Sequence, residues 1–380
     1  MFEAVVKEIN NGLDTLPAKY TLKELGKKVG LSSNAVSDVL LKGTETNFTA
    51  SVLFAKFINP DNYIEVATSW SVNHRRPENM KLILEFLSAN RKLDTLKMYV
   101  NEMRSDCSKK NLCILDAYDL LHEFQSTLKV EESFLSKVED LHETVPEAKF
   151  LKEMLKVYYY NDINEVGTMS MHLERASILL KEVKKGKLIE IYQVRINEML
   201  STSSLFNHCD WESARSHSEE IVKNFYFFGA SYEARHYYRI GMSYFFQQPE
   251  MCLEYLEKAV QTYRAAGDEE NAVALERSEM SIVKVRANMI TDVSEITGTP
   301  SEAHYLIANG KTEQAKNVIT KLKQNSPFTK YYAGMADENP FLLLESLKLL
   351  LNKGNRFYAK LPLEALESFP EASGLVNLLI

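Results

Sequence analysis

Apolar residues recur at helical spacing along almost the whole chain, in stretches of roughly 12–18 residues that end at short polar breaks. Each stretch predicts an amphipathic α-helix with one face turned towards a core. Breaks such as Gln248-Pro249 and Asn309-Gly310 follow one another about one helix apart. Successive helices must therefore reverse direction, which is typical of antiparallel helix pairs stacked into a solenoid.

Two segments follow the pattern of tetratricopeptide helix pairs most clearly. In residues 239–263, Gly241 would permit close helix approach and Pro249 would begin the second helix. A second pair is predicted in residues 301–322. The sequence therefore predicts an all-α fold, in which degenerate tetratricopeptide-like pairs form a right-handed superhelix over residues 48–380.

The first 47 residues follow a different pattern, and we predict a helix-turn-helix DNA-binding domain at 1–47. Residues 21–43 fit two short helices around a turn at Gly30, where a positive φ is expected. Thr21 would cap the first helix, with Glu24 as its capping-box partner. The apolar stripe of that helix would comprise Leu22, Leu25 and Val29.

Candidate DNA contacts lie on the outer face of this segment. Residues 19–42 hold five lysines and two acidic residues, a net charge of +3 in a chain of net charge −7. The candidates are Lys27, Lys28, Ser32, Ser33, Asn34, Ser37 and Lys42. We expect Asn34 and Ser37 to contact bases and the lysines to contact phosphate. The alternative is a solvated helix that only caps the solenoid.

Composition and charge limit the other possibilities. A net charge of −7 excludes a protein that coats nucleic acid along its whole length, so any DNA contact must be local. The sequence has no HExxH, P-loop, GxSxG or CxxC pattern, and its eight histidines are scattered. We therefore expect no enzyme activity, no cofactor and no metal. The four cysteines are expected to be free thiols in a reducing cytoplasm.

Aromatic clusters and arginines mark a candidate ligand groove. The clusters are residues 158–160, 225–228 and 237–238. Consecutive helical residues diverge by about 100°, so these rings cannot all face one core. Arg195 and Arg235 fall on predicted inner helices, where a planar donor fork could hold a peptide carboxylate or carbonyls. The alternative is that both arginines pair with a neighbouring glutamate, such as Glu198 or Glu233.

The end of the chain is more apolar than a terminal repeat should be. Residues 342–351 and 375–380 are rich in leucine, whereas terminal repeats normally present a polar outer face. An apolar terminus indicates a two-fold interface, so we predict a homodimer through the C-terminal helices. Glu345 and Lys348 interrupt the leucine-rich stretch, so no membrane partner is expected.

Several segments together resemble the arbitrium receptors (AimR) of Bacillus phages, which are quorum-sensing regulators with tetratricopeptide-like peptide-binding domains. The segments are TLKELGKKVGLSSNAVSDVLLKG, NPDNYIEVATSW, YQVR, RIGMSYFF, KYYAGMADENPFLLLESLKLL and LPLEALESFPEASGLVNLLI. Their order along nearly the full length carries the likeness, since no single motif is diagnostic.

The resemblance implies a homodimer that binds a double-stranded DNA operator and activates a small regulatory gene, which favours lysis. It also implies that a short secreted phage peptide occupies the groove, prevents productive DNA binding and favours lysogeny. The groove residues expected are Tyr158, Arg195, Thr202, Phe206, Arg235, Tyr238 and Met242. Family receptors commonly place asparagine or another polar residue where Thr202, Phe206 and Met242 stand, which implies a different or more apolar peptide.

The alternative is a Rap-like tetratricopeptide protein that regulates a response regulator or another protein partner. Rap-like proteins use an N-terminal helical bundle without a DNA-reading motif. The capped helix, glycine turn and second capped helix within residues 19–42 favour DNA. The hypothesis is therefore a phage transcription regulator, acting in the cytoplasm of the bacterial host, whose DNA binding a communication peptide controls.

Overall fold

The computed structural model describes residues 2–127, 131–223, 227–290, 293–322, 326–369 and 372. Regular structure within these ranges is helical, and no strand occurs in them. Many consecutive helices pack against each other across short turns. The predicted all-α fold of successive helix pairs is confirmed.

Three helices at the start of the chain form one group. They are α1 (Phe2–Thr15), α2 (Leu22–Val29) and α3 (Ser33–Lys42), which we call the head. Next come α4 (Phe48–Ile58), α5 (Tyr63–Ser71), α6 (Pro77–Ala89), α7 (Leu93–Asp106), α8 (Lys109–Ser126), α9 (Glu132–Glu139), α10 (Pro146–Asp162), α11 (Val166–Leu179) and α12 (Lys187–Ser203).

The later helices are interrupted by two π turns, Ser204–His208 and Glu276–Met280. The helices are α13 (Trp211–Lys223), α14 (Ala230–Met242), α15 (Pro249–Ala265), α16 (Glu269–Leu275), α17 (Ser281–Arg286), α18 (Pro300–Ala308), α19 (Thr312–Ile319), α20 (Pro327–Ala336), α21 (Pro340–Asn352) and α22 (Arg356–Leu366). Short 3₁₀ turns cover Leu180–Glu182 and Val293–Ile296.

Contacts along the chain define two compact units. The first unit is Met1–Asp162, Thr168–Ile196 and Asn224–Tyr232, and the second is Ile163–Gly167, Asn197–Lys223 and Glu233–Ile380. The chain passes from the first unit to the second for the last time within α14, after Tyr232. Residues 1–47 belong to the first unit, and their separate role as a DNA-binding domain stays a prediction.

Helix boundaries follow local signals in the sequence. Proline occupies the first turn of α6, α15, α18, α20 and α21, where its missing N–H removes no helical hydrogen bond. The predicted break at Asn309-Gly310 separates α18 from α19, with Gly310 at φ 69°. Gly241 permits close approach as predicted, since a Cβ there would lie 3.1 Å from the Cys252 carbonyl oxygen.

Aromatic rings fill the centre of each unit. In the first unit, Phe86 meets Phe48 and Phe227 edge to face, with ring centroids 5.3 Å apart in both pairs. In the second unit, Phe357 lies 5.5 Å from Trp211 and 5.2 Å from Phe246. Burying rings of this size supplies much of the hydrophobic stabilisation of each unit.

A buried polar cluster holds the head against α5 and α6 within the first unit. Glu45, just after α3, accepts backbone N–H bonds from Arg75 and Arg76 at 3.2 Å and a side-chain bond from Asn79 at 2.8 Å. His74, which is fully buried, lies 3.1 Å from the same carboxylate. These bonds lower the pKa of Glu45, although burial opposes them as the largest single effect. Several hydrogen bonds therefore fix the connection between the head and helices α5 and α6.

We predict that acid destabilises the second unit through His304. Burial lowers the pKa of His304 from 6.5 to about 4, with Arg286 as a second cause. A folded-state pKa below the unfolded value means that protons bind the unfolded chain more tightly, so stability falls as pH drops from 6.5 towards 4. In a His304→Gln variant, the free energy of unfolding should depend less steeply on pH, by up to about 1.4 kcal/mol per pH unit.

The measurement is urea unfolding at several pH values between about 7 and 5, for wild type and variant. His142, an exposed histidine, provides the control variant His142→Gln. An unchanged pH dependence in the His304 variant would contradict the prediction.

Candidate DNA-binding head and ligand-binding residues

The head has the two capped helices that its sequence predicts. Thr21 caps α2 and forms a complete capping box, since its N–H donates to Glu24 at 2.8 Å and its hydroxyl accepts from the Glu24 N–H at 3.3 Å. Gly30 ends α2 at φ 68°. Ser32 caps α3 by accepting from the Ala35 N–H at 3.2 Å. Nearby side chains therefore provide hydrogen-bond partners for backbone N–H groups at the start of both helices.

The packing between α2 and α3 requires a small residue at Gly26. A Cβ at this position would lie 2.4 Å from the Leu31 carbonyl oxygen, a distance that no side chain permits. Val29 and Val36 are buried beside this contact. Leu22 corrects the predicted stripe, because it is 39% exposed at the first position of α2, outside the buried face.

The outer face of the head carries the predicted DNA contacts. Ser33 and Asn34 are exposed in the first turn of α3, and Ser37 is half-buried one turn later. Lys27 and Lys28 are exposed in the last turn of α2. The two remaining candidates already have bonds, since the Ser32 hydroxyl caps α3 and Lys42 pairs with Asp38 at 2.7 Å.

The predicted groove residues are divided between the two units. Tyr158 and Arg195 belong to the first unit. Those in the second unit are Thr202, Phe206, Arg235, Tyr238 and Met242.

Arg195 is almost completely buried, and its guanidinium nitrogens donate to three protein groups. Its Nε donates to Glu85, its Nη1 to the Tyr158 hydroxyl at 2.9 Å and its Nη2 to the Ser88 hydroxyl at 3.1 Å. Tyr118 donates to the same Glu85 carboxylate. The expectation that the Arg195 fork awaits a ligand is corrected, because three protein partners occupy it.

The burial of this cluster perturbs its ionisation. Burial is the largest influence on the Tyr118 hydroxyl and raises its pKa well above the ordinary value, with the Glu85 charge acting in the same direction. Burial is the largest influence on the Arg195 guanidinium and acts to lower its pKa, but the attraction of Glu85 helps to hold that pKa well above its ordinary value. The cluster is therefore an ion pair between two charged groups, in which the Tyr118 hydroxyl donates to Glu85 and the Tyr158 and Ser88 hydroxyls accept from Arg195.

In the second unit, Glu198 attracts two arginines of α14. Arg235 lies 3.8 Å and Arg239 3.5 Å from its carboxylate. This matches the alternative in which Arg235 pairs with a neighbouring glutamate. His236, fully buried on the same helix, has its pKa lowered well below 6.5 by burial and then by Arg239, so it is neutral.

The other predicted groove residues of the second unit differ in their surroundings. Thr202 is half-buried and donates back to the Glu198 carbonyl at 2.9 Å. Phe206 lies in the first π turn, 5.7 Å from the Phe357 ring. Met242 is fully buried in the hydrophobic core, which corrects its placement in a groove. It follows Gly241 at the end of α14, where α15 approaches closely.

Tyr238 lies close to Glu279, a residue for which the sequence predicted no role. Its hydroxyl lies 3.4 Å from Glu279, and the Tyr358 hydroxyl lies 3.5 Å from the same carboxylate oxygen. Glu279 belongs to the π turn Glu276–Met280 and lines a cavity of about 410 Å³ in the second unit. A π turn has no sequence pattern comparable to a capping box, so neither its presence nor this carboxylate could be inferred.

The described residues were also searched for metal sites and membrane spans. These residues contain no group of three or more His, Cys, Asp or Glu side chains placed to hold a metal ion. None of their helices combines the length and apolar character needed to cross a membrane.

Comparisons with known proteins place this geometry in context. A family model described as "AimR transcriptional regulator-like" matches residues 64–368. The AimR transcriptional regulator of Bacillus phage SPbeta is 21% identical over 354 residues, 89% of each chain. The SPbeta prophage-derived uncharacterized protein YopK of Bacillus subtilis strain 168 is similar to the same extent.

Solved structures of phAimR share the fold. The structure of SeMet-phAimR has a TM-score of 0.75 at 16% identity and covers 99% of both chains. The structure of phAimR-Ligand has a TM-score of 0.67 at 14% identity, covering 85% of this chain and 98% of that chain. The arrangement of helices is therefore common to proteins whose sequences have diverged widely.

We predict that Arg195→Lys lowers stability rather than only altering ligand affinity. Lysine cannot reproduce the planar fork that reaches Glu85, Tyr158 and Ser88 together, so buried acceptors lose their donors. The free energy of unfolding should fall by about 1–3 kcal/mol. Urea unfolding measures it, with Arg175→Lys at an exposed position as control. Equal stability of the two variants would show that the network contributes nothing.

Proposed function

This chain belongs to the AimR transcriptional regulator-like family, and we propose that it binds a double-stranded DNA operator through the head. A short signalling peptide, bound by the helical repeats, controls this binding. The regulator acts in the cytoplasm of the bacterial host and sets the choice between lysis and lysogeny. The phage origin of the SPbeta relative and the fold shared with the phAimR-Ligand structure support this proposal.

The geometry of the head is the observation that carries the DNA-binding part. A capped helix, a left-handed glycine and a second capped helix are the arrangement in which a recognition helix enters a major groove. The exposed start of α3 offers Ser33 and Asn34 to base edges, and Lys27 and Lys28 flank it. A Rap-like role would not require these exposed polar residues beside a glycine turn.

We predict that some residues of the head contact bases and that others contact phosphate. Asn34→Ala should weaken binding to a specific site by about 1–3 kcal/mol and relax its sequence preference. Lys27→Ala should weaken binding to all sequences and reduce the salt dependence by roughly one unit. The specific site is obtained by selection from a random duplex library, and affinities are measured by fluorescence anisotropy over a range of salt concentrations.

The controls are exposed residues outside the recognition surface, Asn11→Ala on α1 and Lys184→Ala beyond α11. Both should bind DNA as wild type does. Wild-type binding by a double variant, Asn34→Ala with Ser37→Ala, would refute the assignment of α3. Failure of wild type to select any sequence would instead favour the alternative in which the repeats bind a protein partner.

We also propose a homodimer through the C-terminal helices. Phe341, at the start of α21, is 69% exposed, which is unusual for so large an apolar side chain. Leu344, one turn further along, is only partly covered. The second leucine-rich segment predicted to take part, 375–380, lies outside the described residues. A two-fold interface would bury Phe341 against its counterpart or a neighbouring apolar residue.

We predict that Phe341→Ser weakens dimerisation. Loss of a large apolar side chain at the interface should raise the dimer dissociation constant by about tenfold or more. Sedimentation velocity over a micromolar concentration series measures it. Ile178→Ser removes a comparably exposed side chain of α11 and should leave the constant unchanged. A monomeric wild type, or identical behaviour of the two variants, would contradict the proposal.

A further inference from the structure

Leu41, in the last turn of α3, is 77% exposed, which makes it the most exposed large apolar side chain among the described residues. Single apolar side chains are common on protein surfaces, so exposure alone assigns no role to this leucine. Its position on α3, relative to the residues that we propose to contact bases, determines what the side chain can meet.

Leu41 lies on the same face of α3 as Asn34 and Ser37. It follows Asn34 by seven residues and Ser37 by four, and both spacings return to one face of an α-helix. At about 100° per residue, Leu41 lies about 20° from Asn34 and about 40° from Ser37 around the helix axis. The buried face, which Val36 and Val39 form, is on the opposite side. A flat or gently curved surface that meets Asn34 and Ser37 therefore meets Leu41 as well.

Hydrogen bonds fix the end of α3 and thereby the direction of the Leu41 side chain. Gly43 ends the helix at φ 66°, and its N–H donates to the Val39 carbonyl at 3.2 Å. The Asn10 side chain of α1 donates to the Leu40 carbonyl at 3.3 Å. The last turn of α3 is therefore capped and also joined to α1.

The charges around Leu41 suit DNA better than an apolar protein surface. Lys42, the next residue, is exposed and pairs with Asp38 at 2.7 Å. This pairing reduces the repulsion between the Asp38 carboxylate and a phosphate backbone. Lys27 and Lys28 are exposed in the last turn of α2. Leu41 thus projects from a polar and cationic surface, whereas the centre of a protein interface is depleted of charge.

The major groove of DNA offers an apolar group to such a side chain, the 5-methyl group of thymine. The other three bases present hydrogen-bond donors and acceptors there, which a leucine side chain cannot satisfy. Seven residues of an α-helix span about 10 Å, which is the length of about three base-pair steps. Leu41 can therefore reach a thymine up to about three base pairs from the base that Asn34 contacts.

We propose that Leu41 is a specificity-determining residue of the head, which selects thymine at one position of the DNA site by covering its 5-methyl group. Cytosine or uracil at that position lacks the methyl group and leaves the leucine without this contact. The burial of one methyl group corresponds to about a fourfold difference in affinity. This inference rests on the proposed DNA-binding function of the head and assigns one base of its operator.

The test removes the methyl group and the leucine separately. The specific site is selected from a random duplex library with the full-length protein, and each thymine in it is replaced in turn by deoxyuridine, which lacks only the 5-methyl group. Fluorescence anisotropy measures the affinity for each duplex. For wild type, a replacement within about three base pairs of the position where Asn34→Ala relaxes the preference should weaken binding by about fourfold.

Leu41→Ala should bind the unmodified site about fourfold more weakly than wild type and should not respond to that one replacement. Leu41→Met keeps an apolar side chain and should still respond. Leu22→Ala removes an exposed leucine at the start of α2, on another helix, and should retain the wild-type response to every replacement. Thermal unfolding of Leu41→Ala should match wild type, since the side chain lies outside the core.

Two results would overturn the role of Leu41 alone. One is an unchanged affinity of wild type when thymines near the Asn34 position are replaced, and the other is a Leu41→Ala variant that responds to every replacement as wild type does. If that variant also showed weaker self-association in sedimentation, Leu41 would instead belong to a contact between protein chains. Selection of no sequence by wild type would refute the DNA-binding function of the head together with this inference.

Discussion

Two opposite charges, Arg195 and Glu85, are buried together in the first unit, and the surrounding helices must be placed so that neither is left alone. Breaking such a pair costs far more than the pair contributes, because an unpaired charge would remain in a dry interior. Donors and acceptors come from four helices, with Glu85 and Ser88 on α6, Tyr118 on α8, Tyr158 on α10 and Arg195 on α12. The ion pair therefore fixes the register of these helices, with α6 as the element common to its contacts.

Helix α6 also connects the head to the start of α14. Near its beginning, Asn79 donates to Glu45, which follows α3. At its end, the Asn90 side chain accepts from the Gly229 N–H at 2.6 Å, just before α14 begins at Ala230. Within the first unit, the polar contacts of α6 therefore extend from Glu45, which follows α3, to Gly229, which precedes α14.

Sequence reasoning succeeded where the cause of a structure is local. The capping box of Thr21 and Glu24 and the left-handed Gly30 depend on neighbours a few residues away, and Gly241 makes its close approach to the next helix along the chain. It failed where the partner is remote, because periodicity identifies a buried face but not what that face meets. Arg195 was expected to pair with a ligand or with a nearby glutamate, yet its partner is 110 positions away. Burial of Met242 and the carboxylate of Glu279 likewise depend on contacts between distant helices.

The central claim is that a peptide bound to the repeats controls DNA binding by the head. The most direct measurement is sequencing of the genomic fragments that the purified protein retains, with and without short secreted peptides encoded in the same genome. If a peptide controls the head, one or a few sites should be strongly enriched, and their retention should fall when one particular peptide is added. Retention of no specific fragment, or a fragment profile that no peptide alters, would contradict such control.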